Sequence, residues 1–261
     1  MALIAGCAAT SGAPTPTGAE TTTVANPPTT LARSGDSTTT TRAPTTTTSS
    51  EPPIITSTSS STTTSTTRPP ATRVTSPGTY ANANLVIGLR FRSEVVDVTS
   101  GELEATALAI LGDPSGWGQA GFTFVADEAS ELVVVLAEGP HVDRLCLPLE
   151  TFGTVSCQNG PVVALNADRW RNAWSGWDAP VETYRMYLVT HEVGHLIGQR
   201  HPAGRCPSGA TASAVMDPQT RTTLHCPGNA VPLEWEITWA RNRPATIGPT
   251  PEWDAPRPEW P

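Results

Sequence analysis

His191-Glu192-Val193-Gly194-His195-Leu196-Ile197-Gly198-Gln199-Arg200-His201 is the stretch on which the rest of the chain turns. On an α-helix, residues four apart stand one above the other, so His191 and His195 face the same way and can share one ion. Glu192 lies about 100° round from His191. That is too far to join the pair as a ligand, yet close enough to reach a water beside the ion. Gly198 lets the helix stop and the backbone swing, which returns His201 as a third imidazole. Three neutral imidazoles with one open position make a catalytic rather than a structural zinc site. One Zn2+ per domain is therefore expected, with the pKa of its water lowered to about 7 and Glu192 as the general base. Only five His occur in the chain, and three stand here at this spacing. An ordinary core His pair leaves Glu192 and the third His unexplained, and a purely structural zinc has no use for Glu192.

Outward from the motif, the periodicity predicts a helix over Glu182–Gly198. Met186, Val189, Val193, Leu196 and Ile197 form its inner stripe, with Tyr184, Leu188, His191 and His195 beside it. Trp170, Trp174 and Trp177 precede it and read as packing under a sheet, with lining a cleft as the alternative. Asn166 and Asp168 stand near the end of a strand, where they could cap a helix or hydrogen-bond a ligand His. His141 and His225 read as surface residues. Leu85, Ile87, Leu89 and Phe91 alternate with Gly88, Arg90 and Arg92, the period of a half-buried strand. A helix follows with Leu103, Ala107, Ile110 and Leu111 on one face, Ser100 as its N-cap and Gly112-Asp-Pro114 as its stop. Phe122–Val125, Leu132–Leu136 and Val162–Leu165 read as further strands, with a Cys-closed hairpin around Leu145–Cys157 and a short helix over Leu233–Ala240. The fold class expected is α+β, a mixed twisted sheet backed by two helices, with a small loop-rich C-terminal lobe.

Apart from Cys7, the cysteines are Cys146, Cys157, Cys206 and Cys226. An even number in an exported domain implies two disulfides, for which three pairings exist. Pairing 146 with 157 and 206 with 226 closes two short local loops, and that arrangement is expected. The absence of any Cys-x-x-Cys spacing argues against a cysteine zinc site.

The eleven-residue signature resembles that of the metzincin zinc peptidases, whose further hallmark is a Met-containing turn near the metal. Met216, within Ala214-Val-Met-Asp-Pro-Gln-Thr220, follows the motif by fifteen residues and matches that turn. A Cys206–Cys226 bridge would close a loop around it. The chain is also similar to an actinobacterial family of exported zincin-like domains of unknown function. That likeness rests on Gly112-Asp-Pro-Ser-Gly-Trp117, Leu165-Asn-Ala-Asp-Arg-Trp170, Tyr184-Arg-Met-Tyr-Leu-Val-Thr-His191, Arg205-Cys-Pro-Ser-Gly209 and His225-Cys-Pro-Gly-Asn229. The resemblance implies a metzincin-like fold and a zinc-dependent metalloendopeptidase acting on a peptide or protein substrate, cell-wall peptides included. Some metzincins place a Tyr just after the Met-turn, whereas the Tyr here stand at 80, 184 and 187. Oxyanion stabilisation then falls to the metal, backbone N–H groups or an Arg.

Residues 1–79 hold 37 Ser or Thr and no aromatic side chain, too little apolar surface to offset the entropy of ordering them. The domain is accordingly expected over residues 80–243. Residues 8–79 read as a disordered stalk of about 45 Å reach, and 244–261 as a disordered Pro-rich tail. Leu3-Ile-Ala-Gly-Cys7 resembles a lipobox, so residues 1–7 read as the remnant of a lipoprotein signal with Cys7 lipidated. The expected location is the extracellular face of a membrane, lipid-anchored, or secreted. A net charge of −8, with all 16 basic residues Arg, excludes a basic stripe for nucleic acid. A monomer is expected. The alternative function is a non-catalytic zinc-binding envelope lipoprotein that serves as a binding module.

Overall fold

The computed structural model describes residues 70–81, 84–220 and 226–261. Cys7, His225 and the stalk up to residue 69 lie outside the described residues. In chain order the elements are β1 (Thr72–Val74), β2 (Gly78–Tyr80), β3 (Leu85–Ser93), α1 (Ser100–Leu111), β4 (Phe122–Ala126) and β5 (Val133–Ala137). Then come α2 (Gly139–Cys146), β6 (Cys157–Asn159), β7 (Val162–Asn166), α3 (Ala167–Asn172), α4 (Val181–Leu196), α5 (Glu234–Arg241) and β8 (Ala245–Ile247). The architecture is mixed α+β with a mostly parallel sheet and, among the described residues, five α-helices.

The sheet runs β1-β3-β5-β7-β6, and β4 also pairs with β3. The first half of β3 pairs in parallel with β1 and β4, and its second half with β5. β5 pairs in parallel with β7, while β6 runs antiparallel to β7 at the end of the sheet order. All five residues of β5 are buried, as a strand covered on both faces requires. Val134 and Leu136 pack into the larger core with α1 and α4, whereas Val133, Val135 and Ala137 pack into a second cluster with Val142 and Cys146 of α2. The sheet is therefore covered on both faces, and the expectation of two backing helices is corrected by α2.

That helix replaces the expected hairpin around Leu145–Cys157, because Leu145 and Cys146 form its last turn. Gly139-Pro140 puts Pro in its first turn, where a missing N–H costs nothing. Both disulfides are formed, Cys146–Cys157 and Cys206–Cys226, with Cα separations of 6.1 and 6.2 Å. The N-cap of α1 is Thr99, not Ser100. Its hydroxyl accepts from Glu102 N at 3.2 Å, and the Glu102 carboxylate accepts from Thr99 N at 2.7 Å. Glu stands three residues after Thr99, the capping-box spacing, and Ser100 turns its hydroxyl to Ser93 N instead.

Both expected domain limits are too narrow. Within the expected stalk, Val74 of β1 is buried in the core, and β2 pairs with β8 from the expected tail through Gly78↔Ile247 and Tyr80↔Ala245. Beyond β8 the chain packs back on the domain. Arg200 Nη1 donates to Ala255 O at 2.6 Å, Ala203 N to Pro258 O at 2.7 Å, and Trp260 lies 5.3 Å from Trp235. A Pro-rich segment donates few hydrogen bonds but keeps every carbonyl as an acceptor, and this one is held through its carbonyls. No helix among the described residues is long and apolar enough to cross a membrane.

Candidate metal centre

α4 is buried along most of its second half, including His191 and Glu192 at 5 % exposure each. It ends in a Schellman motif: Gln199 N donates to Gly194 O at 2.8 Å and Gly198 N to His195 O at 2.9 Å, with Gly198 at φ 85°. That left-handed residue turns the chain back. As a result Gln199 O accepts from His195 Nδ1 at 2.8 Å, and His201 comes round to the other two rings. A Cβ on Gly198 would also stand 2.7 Å from Thr246 O of β8. Strain and collision act together here, so Gly198→Ala is expected to lower stability by about 1–3 kcal/mol, read as a fall in the thermal unfolding midpoint. An unchanged midpoint would show that the turn is not needed.

The Nε2 atom of His201 lies 3.1 Å from that of His195 and 3.3 Å from that of His191. Three nitrogens around one tetrahedral zinc at about 2.0–2.1 Å would stand about 3.3–3.4 Å apart. His191 Nδ1 donates to Val215 O at 2.7 Å, as His195 Nδ1 does to Gln199 O. A carbonyl can only accept, so both rings carry their proton on Nδ1 and turn a bare Nε2 inward, the arrangement of ligand histidines. Burial also disfavours their charged forms, lowering His191 to about 3, His195 to about 4 and His201 well below its ordinary value. The three side chains could hold a metal ion. Glu192 lines the same cavity, of about 490 Å³, and burial pushes its carboxyl up to about 8.

Met216, 2 % exposed, packs against the motif. A Cβ placed on Gly194 would meet its Sδ at 2.5 Å and Trp117 Cζ2 at 3.1 Å. Trp117 is fixed by its own Nε1, which donates to Thr190 O at 2.9 Å. The turn carrying Met216 lies inside the Cys206–Cys226 loop, and its neighbour Val215 supplies the carbonyl for His191. Pro218 does not prevent a closed turn: Asp217 N donates to Ala214 O, and Asp217 Oδ2 accepts from Ala214 N, both at 3.1 Å.

Glu236, near the start of α5, carries no signal in sequence beyond a favourable charge at a helix N-terminus. In the structure its carboxylate accepts from Val215 N at 3.0 Å, Met216 N at 2.9 Å and Leu233 N at 2.8 Å. It ties the Met216 turn to α5. Burial pushes its carboxyl up to about 7 against those hydrogen bonds. The folded state then binds this proton more tightly than the unfolded chain does. Its contribution to stability is full below about pH 4.5 and is lost as pH rises toward about 7. Denaturant midpoints measured across that window should fall with pH for the wild type and fall less for Glu236→Gln. An equal decline in both would assign the slope to other groups.

Several sequence candidates lie elsewhere. Trp170, Trp174 and Trp177 pack on the core, and Trp177 stacks on Tyr187 at 5.5 Å; none lines the cavity. Asn166 caps α3 by accepting from Asp168 N and Arg169 N, and Asp168 pairs with Arg169, so neither reaches a ligand His. His141 pairs with Glu94. Tyr187, one turn before His191, does line the cavity, but its hydroxyl is engaged, donating to Asp217 O at 3.0 Å and accepting from Gln219 N at 2.9 Å. The C-terminal segment adds Trp253 and Arg257 to the cavity wall, beside Arg200. Trp253 belongs to Pro251-Glu-Trp253, repeated at 258–260, whose Trp residues are a candidate for binding, whereas nothing in the sequence marks Arg257.

The family described as protein of unknown function (DUF3152) matches residues 96–239. That span contains the three His, Glu192, the Met216 turn and Glu236, while β1, β2, β3 and β8 fall outside it. No curated protein matches the chain.

Proposed function

The chain belongs to the DUF3152 family, and within it we propose that this protein is a zinc metallopeptidase of metzincin type, anchored outside the membrane through Cys7. The observation that carries the reading is the convergence of three imidazoles, two with Nδ1 pinned by backbone carbonyls, beside a buried carboxylate. The Met216 turn against Gly194 supports the metzincin likeness. Two disulfides accord with an oxidising compartment.

His191, His195 and His201 would hold the zinc. Bound there, it supplies Lewis-acid polarisation of a carbonyl and activation of water. Beside a cation held by the three imidazoles, Glu192 is favoured in its ionised form against the upward push of burial. The carboxylate then takes the proton of the attacking water and returns it to the departing amine nitrogen. The carbonyls of Val215 and Gln199 hold His191 and His195 in their ligand tautomers. β6, last in the sheet order and a wall of the cavity, offers backbone groups to an extended peptide. Among the described residues, Arg200 and Arg257 line the cavity and Glu192 is the one carboxylate that does, so an oxyanion there meets positive charge.

The test treats a complex peptide mixture with the zinc-loaded chain or with Glu192→Gln and reads new N-termini by mass spectrometry. New termini from the wild type alone are expected. None from either would leave a non-catalytic zinc-binding lipoprotein as the better reading.

A further inference from the structure

We propose that the loop from Leu147 to Ser156, between α2 and β6, is an apolar rim of the His cavity that docks apolar side chains of the polypeptide substrate. The nature of this occupant rests on the peptidase reading above.

Among the described residues, the large hydrophobic side chains left exposed are Val96, Leu147, Leu149 and Phe152. Three of these four fall within six consecutive positions, at 62 %, 47 % and 71 % exposure. Single exposed apolar residues are ordinary; a cluster held toward water marks a binding surface. This cluster is held firmly. The Cys146–Cys157 disulfide closes the loop. The Asp143 carboxylate accepts from Thr151 Oγ1 and, at 2.7 Å, from Gly153 N. Asn159 Nδ2 donates to Leu147 O at 2.7 Å, Asn166 Nδ2 to Gly153 O at 2.9 Å and Arg169 Nε to Thr154 O at 2.8 Å. Phe152 adopts φ 54°, a left-handed backbone that a bulky residue avoids, while 71 % of it faces solvent. Folding gains little from an exposed ring in a strained position, and such strain concentrates where ligands bind.

The rim is continuous with the site, because Leu149 lines the same cavity as His191 and Glu192, followed by Val155, Ser156 and Cys157 leading into β6. An extended peptide running past β6 projects alternate side chains to one side, where Leu149 in the cavity wall can cover one of them. Phe152, three residues on and outside the cavity lining, extends the apolar surface of the loop. A lipid surface is the poorer occupant. Glu150 is exposed between the apolar residues, and the chain carries a net charge of −8.

The test uses the full chain carrying Glu192→Gln, immobilised, with and without Leu149→Ser and Phe152→Asn together. Both positions are exposed, and Asn tolerates a left-handed backbone better than Phe. A proteome-derived peptide mixture is passed over each surface and the retained peptides are identified by mass spectrometry. Peptides rich in Leu, Phe, Ile and Val are expected to be retained about 10-fold more by the intact loop. Val96→Ser, a control at another exposed apolar position, is expected to retain the same set as the intact loop. Equal retention with and without the loop substitutions, or retention by neither, overturns the proposal, as does a loop-dependent binding to phosphatidylglycerol vesicles without any change in peptides. Retention that depends on the loop in a protein whose wild type releases no new N-termini would sink the peptidase reading and leave the apolar rim standing.

Discussion

Glu192→Gln is expected to lower peptide hydrolysis by about 10²–10⁴-fold while leaving one zinc per chain. Gln matches Glu in volume and keeps a hydrogen-bonding oxygen, so the fold and the three imidazoles are undisturbed. What it loses is the ability to take a proton. Glu192 is 5 % exposed and lines the same cavity as the three His, so little bulk water can substitute for it. Metal analysis beside the kinetics separates the two roles that Glu192 could have. Equal zinc with a large fall in turnover identifies a general base. A rate within a few-fold of wild type would remove Glu192 from the chemistry.

The second large effect is expected far from any reacting atom. Glu236→Ala removes the acceptor of three backbone N–H groups, of which those of Val215 and Met216 belong to the turn packed on the motif. Each buried donor left without a partner costs about 1–3 kcal/mol, so a total of about 3–5 kcal/mol is expected once water or relaxation recovers part. That corresponds to a fall of roughly 10 °C in the unfolding midpoint for a domain of this size. Val215 also provides the carbonyl that orients His191. A turn released from α5 should therefore weaken metal binding by about 10–100-fold, the usual cost of losing a ligand's outer partner. Glu236→Gln keeps one acceptor oxygen and should fall between. A variant as stable as wild type, with unchanged metal affinity, would show that the clamp is incidental.

The centre was legible in sequence because its geometry is local. His191 and His195 are one helical turn apart, and Gly198 announces the bend that returns His201, so spacing alone brings the rings together. Met216 was legible only through resemblance, since a buried Met by itself says nothing. The long elements followed from periodicity, as β3 and α4 show. The misses share a cause: their signal lies in tertiary partners. β1 and β8 are three residues long, too short to display alternation, and exist through pairing with β3 and β2. α2 is hidden behind Gly139-Pro140, and its buried face is apparent only once the second face of β5 needs covering. Glu236 looks like an ordinary first-turn carboxylate until the turn from Ala214 folds back over it. The C-terminal segment has the composition of a free tail, yet Arg200 and Ala203 capture its carbonyls.

Metal content and coordination test the account at its root. The full chain, purified and dialysed against zinc, should carry one zinc per chain, with X-ray absorption showing imidazole nitrogens at about 2.0–2.1 Å, and replacing any one of His191, His195 or His201 by Ala should abolish it. A folded chain that takes up no transition metal, or one that keeps its zinc after His201→Ala, would contradict the account.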